Sequence, residues 1–191
     1  CDEVYEHLAF DGHPHIPLMT LPGMRDRCLR IGSAGKTFSV TGWKVGYITG
    51  APGVLSSVAK THQFNTFTTP PNLQIAAAYG LRKGDEYFAG LAHDLQAKRD
   101  RLSKGLKGIG FEVLESAGTY FLTVDFRPLG FNGNDEEFCR HITTEAGVTA
   151  VPVSAFFQDA DVNHFARFCF CKGDELLDEA IGRLARHFGG G

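Results

Sequence analysis

The chain has 191 residues, 43% of them hydrophobic and 21% charged, with a formal net charge of −3. That is enough for one or two domains with a packed core and is ordinary for a globular protein. A mildly acidic balance without a basic stripe argues against a nucleic-acid partner. No apolar run reaches the ~18 residues needed to cross a bilayer, so no membrane partner is expected either.

The chain opens directly on Cys1-Asp2-Glu3-Val4-Tyr5, without Met and without the basic and apolar regions of a signal peptide. It reads as a start inside a domain. Residues 13–24 contain Pro14, Pro17, Pro22 and Gly23 and predict a loop. Cys28–Ile31 predicts a short strand running into a Gly32–Gly42 loop. Trp43–Thr49, bounded by Gly42 and Gly50, predicts a second strand. Val54–His62 predicts a short helix, followed by a Thr/Pro loop over 66–71. Asn72 is placed to cap a helix carrying Leu73, Ile75 and Leu81. Residues 86–108 predict the longest helix, with Leu91, Leu95, Leu102 and Leu106 on one face and Gly108 and Gly110 as the stop.

Beyond Gly110 the pattern changes. Strands are predicted at 111–114, 120–126, 148–153 and 165–171, with helices at 135–145 and 174–188, and Gly189-Gly190-Gly191 closing the chain. That order suggests a small α+β unit. A domain change is expected inside the long helix, dividing residues 1–100 from 101–191. The five cysteines are odd in number and scattered, with no C-x-x-C, the pattern of reduced thiols in a cytoplasmic protein. Cys169 and Cys171 fall on one face of a predicted strand and are expected to be buried and apolar. Asp125 and Arg127 are expected to form a surface pair. His13 and His15 flank Pro14 in a loop and are not read as a metal site.

The densest chemical signal is Gly32-Ser33-Ala34-Gly35-Lys36-Thr37-Phe38, with Lys44 eight positions after Lys36. Small and apolar neighbours take a lysine partly out of water, which favours the neutral, nucleophilic amine. Ser33 and Lys44 can together hold an anion. An amine beside an anion cradle suits a phosphorylated aldehyde, pyridoxal phosphate being the obvious one. Arg167 stands in the apolar run Phe165-Ala166-Arg167-Phe168, where an unpaired charge is costly, so it needs an anionic partner. Each has a plainer reading: Ser33 as a helix cap, Lys44 as surface charge, Asp2 as a strand-end carboxylate, Tyr120 as core.

The run S-A-G-K-T-F-S-V-T-G-W-K-V-G, with D-E-V-Y-E-H-L before it and R-F-C-F-C-K near the end, resembles the class I/II aminotransferases. The likeness is to the branch containing kynurenine, glutamine, methionine and some succinyl-diaminopimelate aminotransferases, and it covers essentially the whole chain. It implies an α/β fold of fold type I: part of a large, mostly parallel α/β/α domain plus a smaller C-terminal α+β domain. It implies that Lys36 carries pyridoxal 5′-phosphate as a Schiff base and then acts as general base. It puts Asp2 on the pyridine nitrogen, Tyr5 on the ring 3′-oxygen, Ser33 and Lys44 on the phosphate, and Arg167 on the substrate carboxylate. Tyr120 would line the pocket, and Phe67 resembles an aromatic contributed by the neighbouring subunit of a homodimer. Lys44 stands where aspartate-type relatives carry Arg, as is usual in the kynurenine-like branch.

The resemblance also implies an N-terminal half that is absent from this sequence. That half would supply a phosphate-binding helix N-terminus, an aromatic stacked on the ring and an asparagine at the 3′-oxygen. The expected activity is transfer of an amino group from an aromatic or sulfur-containing amino acid to a 2-oxo acid. The alternatives are a carbon–sulfur β-lyase acting on cysteine conjugates, an N-succinyldiaminopimelate aminotransferase, and a catalytically inert fragment.

Overall fold

The computed structural model describes residues 1–158 and 162–189; the last two glycines of the C-terminal run lie outside the described residues. The chain divides into two compact units, residues 1–92 and 93–191, and the division falls within one long helix.

In the first unit, β1 (Leu29–Ser33) pairs antiparallel with β2 (Gly46–Gly50), from Leu29 opposite Gly50 to Ser33 opposite Gly46. The N-terminal segment lies along the other edge of β1 and runs parallel to it. Asp2 bridges Ile31, the Glu3 N–H donates to the Ile31 carbonyl at 2.9 Å, and the Ile31 N–H donates to the Cys1 carbonyl at 2.8 Å. Leu8, Phe10, Cys28, Ala34 and Val45 are buried here. The expected loop after β1 begins with a single helical turn, α1 (Ala34–Thr37), because the Ser33 hydroxyl caps it by accepting from the Lys36 N–H at 3.3 Å. One turn is too short to leave a periodic signal.

Two helices follow β2. α2 (Pro52–Asn65) is longer than the expected 54–62, because Pro52 starts it at the first helical position, where a missing N–H costs nothing. α3 (Pro71–Leu81) corrects the Asn72 cap: Pro71 takes the first helical position and Pro70 precedes it, so Asn72 lies inside the first turn. Phe38 packs near Tyr87 and Phe88 at the start of α4 (Asp85–Ile109), and a Cβ on Gly80 would come within 2.7 Å of the Phe38 ring.

The second unit is built on an antiparallel sheet of order β3-β4-β6-β5, comprising β3 (Glu112–Val113), β4 (Phe121–Asp125), β5 (Val151–Pro152) and β6 (Phe165–Cys169). Leu122 and Val124 on β4 and Ala166 and Phe168 on β6 are buried, as the two-residue period of a strand requires. The same core holds Leu102 and Leu106 of α4, Phe138 of α5 (Asp135–His141), and Leu177 and Leu184 of α6 (Asp174–Phe188). Phe126 stacks on Phe138 with centroids 4.2 Å apart, and Phe111 meets Phe138 and Phe168 edge-on.

α5 is opened by a capping box. The Asn134 side chain accepts from the Glu137 N–H, and the Glu137 side chain accepts from the Asn134 N–H. The helix expected over 135–145 is regular only to His141. It then widens into a π turn, Ile142–Ala146, ended by Gly147 at φ +66°. α4 continues through Gly108 and stops at Gly110, whose φ of +114° suits glycine.

Two further expectations are corrected. β6 ends at Cys169, so Cys171 lies beyond the strand and is exposed, and Cys169 is only half-buried. Asp125 and Arg127 do pair, but the Asp125 carboxylate is buried while Arg127 is open to solvent. Among the described residues, no helix is long and apolar enough to cross a membrane.

Candidate active site

Register decides what is brought together in the first unit. The N-terminal segment and β1 run in the same direction, and the chain leaves both at the same end. Tyr5 follows Asp2 there, and Lys36 follows Ser33. β2 runs the opposite way and begins at that end, with Gly46 opposite Ser33, so Lys44 enters from the same side. Asp2, Tyr5, Ser33, Lys36 and Lys44 therefore gather at one end of a three-stranded patch. The carboxyl ends of parallel strands are where open α/β sheets hold their ligands.

Local structure sets each side chain. The Val4 N–H donates to Asp2 Oδ1 at 3.3 Å, a turn that orients this carboxylate. Tyr5 and Lys36 are half-buried. The Ser33 hydroxyl accepts the cap bond, which leaves its own proton available for donation. Lys44 is exposed and left-handed, with φ +55°, at the end of a 3-10 turn spanning Thr41–Trp43. Among the described residues the other non-glycine left-handed positions are Asp11, Ser39, Phe67 and Thr119. Such strain collects at functional sites, and two of these residues, Lys44 and Phe67, were singled out from the sequence.

A charged network ties this patch together, and no local pattern in the chain announces it. Glu3 is buried and accepts from Arg30 Nε at 2.8 Å, His15 Nε2 at 3.2 Å and the Leu18 N–H at 3.2 Å. Arg30 also pairs with Glu6. Glu6 in turn accepts from the Tyr47 hydroxyl at 2.7 Å. Burial alone would raise the Glu3 carboxyl, but these bonds hold it below the ordinary range. Tyr47 is pushed up by burial, against the opposing charge of Arg30. The network joins the segment bearing Asp2 and Tyr5 to β1 and β2, the strands on either side of the stretch that carries Lys36 and Lys44.

Phe67 follows α2 and is 73% exposed. Phe64, Ile75 and Tyr79 on α2 and α3 are also largely exposed.

In the second unit, Arg167 lies in β6 between Thr123 of β4 and Val151 of β5. Its guanidinium carbon sits 4.1 Å from the Phe121 ring centre and 4.3 Å from that of Phe156. Two aromatic faces thus hold the fork flat. Its Nε is buried and has no hydrogen-bond partner among the described residues. A buried donor of this kind calls for an acceptor from outside, and a planar fork suits a carboxylate. Phe121 could have been found from its place next to Tyr120, whereas Phe156 carried no sequence signal. Tyr120 flanks β4 and is half-buried, its ring 4.5 Å from that of Phe121 and its carbonyl accepting from the Phe170 N–H.

Comparison with known proteins follows the same lines. The family model for aminotransferase class I and II matches residues 1–184. The chain is 45% identical to a probable N-succinyldiaminopimelate aminotransferase of Mycobacterium tuberculosis, over 96% of its own length and 48% of the relative's. It is 40% identical to a kynurenine–oxoglutarate transaminase of Dictyostelium discoideum, covering 97% of this chain and 47% of that one. It is 38% identical to a methionine aminotransferase of Escherichia coli, covering 96% and 47%. The solved structure of an N-succinyldiaminopimelate aminotransferase from Mycobacterium tuberculosis matches with a TM-score of 0.93 at 46% identity, over 97% of this chain and 48% of that one. The chain spans about half the length of the curated relatives it matches.

Proposed function

The chain belongs to the class I and II aminotransferases, which have the fold-type I architecture and depend on pyridoxal 5′-phosphate, and from that premise we propose that this protein moves an amino group from an amino acid to a 2-oxo acid. The observation that carries the proposal is the register that gathers Asp2, Tyr5, Ser33, Lys36 and Lys44 at one end of the β1 patch.

The donor set fits the cofactor group by group. The Lys36 amine suits its aldehyde, the Asp2 carboxylate its ring nitrogen, the Tyr5 hydroxyl its 3′-oxygen, and Ser33 with Lys44 its phosphate. When bound, pyridoxal phosphate supplies an electron sink for charge left on the substrate α-carbon. Lys36 would hold the cofactor at its aldehyde carbon, and its amine would move a proton on and off the substrate α-carbon. Asp2 would accept a hydrogen bond from the ring N–H and so keep that nitrogen protonated. Ser33 would donate a hydrogen bond to a phosphate oxygen, and the Lys44 ammonium would add charge. Arg167 takes the substrate carboxylate with its fork, and Tyr120 flanks the same strands.

The preferred amino donors are aromatic or sulfur-containing amino acids, in keeping with the kynurenine and methionine relatives. A second reading, an N-succinyldiaminopimelate donor, is favoured by the 45% identity to the Mycobacterium tuberculosis relative. Residues beyond these 191 complete the pocket, and a second copy contributes Phe67 across a homodimer. The exposed Phe64, Phe67, Ile75 and Tyr79 support an apolar contact there.

The test is Lys36→Ala in the full-length protein. Loss of the covalent cofactor adduct after borohydride reduction, read by intact mass, is the expected result. Persistence of that adduct at the active site would overturn the lysine assignment. A panel of donors against 2-oxoglutarate and pyruvate separates the two substrate readings.

A further inference from the structure

Cys169 and Cys171 take no part in the reaction described above, yet their sulfurs lie 3.1 Å apart. Extended strands carry i and i+2 side chains side by side, and here the chain bends to bring them closer. The Lys172 N–H donates to the Phe170 carbonyl at 2.8 Å, closing a tight turn around Cys171 where β6 ends. Cys171 is exposed and Cys169 half-buried, so the pair opens to solvent from one side. Cys169 is also among the residues that border a cavity of about 310 Å³, with Leu102, Phe168, Leu176 and Leu177 on its apolar side and Lys172 and Arg183 at its polar side. The remaining cysteines differ: Cys28 and Cys139 are buried, and Cys1 lies in the first unit.

From this geometry we infer that Cys169 and Cys171 form a two-sulfur site for a trivalent, thiophilic centre bearing an apolar group, the chemistry of an organic arsenic(III) compound. A pyramidal trivalent centre with bond angles near a right angle holds its two sulfurs side by side, in van der Waals contact. A disulfide would require them to close to ~2.05 Å, and a linear two-coordinate metal would require them on opposite sides. Desolvation, then the hydrogen bond with Cys169, pushes the Cys171 thiol up to about 11. A protonated thiol is a poor nucleophile toward a peroxide, but it condenses with an As–OH group. In the reaction two As–O bonds break and two As–S bonds form. Each thiol proton leaves with a hydroxide as water, and arsenic stays trivalent. The aryl group is placed beside the apolar residues that border the neighbouring cavity.

The experiment treats the full-length protein with phenylarsine oxide, hydrated in solution to the arylarsine diol, and reads intact mass. The expected product is one adduct of the diol less two waters, which survives excess monothiol and is released by a dithiol. Cys169→Ser and Cys171→Ser should each abolish the monothiol-resistant adduct, and Cys1→Ser should leave it in place. An unchanged thermal melt checks that Cys171→Ser, at an exposed position, remains folded. A resistant adduct that persists in both variants, or a wild-type adduct stripped by monothiol, overturns the inference.

Discussion

Gly32 and Tyr47 face each other across the β1–β2 pair, and the Tyr47 ring occupies the space that a side chain at position 32 would need. The ring is held there by its hydroxyl, which donates to Glu6 at 2.7 Å. Glycine at 32 is therefore required by a close approach within the strand that leads to Lys36. Gly32→Ala should destabilise the protein by about 1–3 kcal/mol, the usual range for overpacking. Tyr47→Ala in the same chain should recover part of that loss. Urea denaturation of the two single variants and the double variant checks the coupling, and strictly additive losses would mean that the ring does not set the residue at 32.

Lys44 bears on the phosphate. Lys44→Gln removes the charge but keeps length and polarity. Loss of a charge-assisted contact should weaken pyridoxal phosphate binding about tenfold or more. Binding of pyridoxal, which lacks the phosphate, should change little. Titration of the apoprotein with both compounds makes the comparison, and an equal loss for the two would assign Lys44 to something other than the phosphate.

Arg167 is held between Phe121 and Phe156, and both its charge and its flat fork matter. Arg167→Lys keeps the charge and loses the fork. Steady-state kinetics of the full-length protein should show kcat/KM down about 10- to 100-fold, with KM raised for donor and oxo acid alike. Phe156→Ala removes one flanking ring and should cost less, on the order of 0.5–2 kcal/mol in the same quantity. Unchanged KM values in both variants would remove Arg167 from the carboxylate role.

How far the sequence could be read depended on whether each signal was local. α6 was legible to the residue because its acidic first turn, its apolar spacing and Gly189 all lie within one run. Lys36 and its neighbours could be singled out because the motif is contiguous, and Arg167 because a cation inside an apolar strand is conspicuous. The network through Glu3, Glu6, Arg30 and Tyr47 was not, since Arg30 lies 27 positions from Glu3 and only the parallel bridge brings them together. Phe156 reaches Arg167 from a separate turn, Val153–Phe156, which no periodicity announces. The Asn72 cap failed for a different reason: a Pro-Pro pair just before it competes for the same helix start, and proline at the first position won. Cys171 was placed inside a strand because apolar composition does not reveal where pairing stops.

Asp125 gives the second unit a defined response to acid. Its buried carboxylate accepts from the Arg127 N–H at 2.9 Å and from Arg127 Nη2 at 2.5 Å. Burial pushes this carboxyl up, but the Arg127 bonds outweigh it, and the net direction is below the ordinary carboxylate value. A carboxyl lowered in the folded state stabilises the fold fully above its unfolded value of about 3.9, and that contribution is lost as pH falls through the folded value. Asp125→Asn should therefore cost about 1–3 kcal/mol at neutral pH, the worth of hydrogen bonds to a charged group. The gap between wild type and variant should narrow at about pH 3, because the wild-type carboxyl is then becoming neutral as well. Urea denaturation of both proteins at the two pH values measures the gap. If it stays constant, the Asp125 charge contributes nothing beyond what a neutral amide of the same shape supplies.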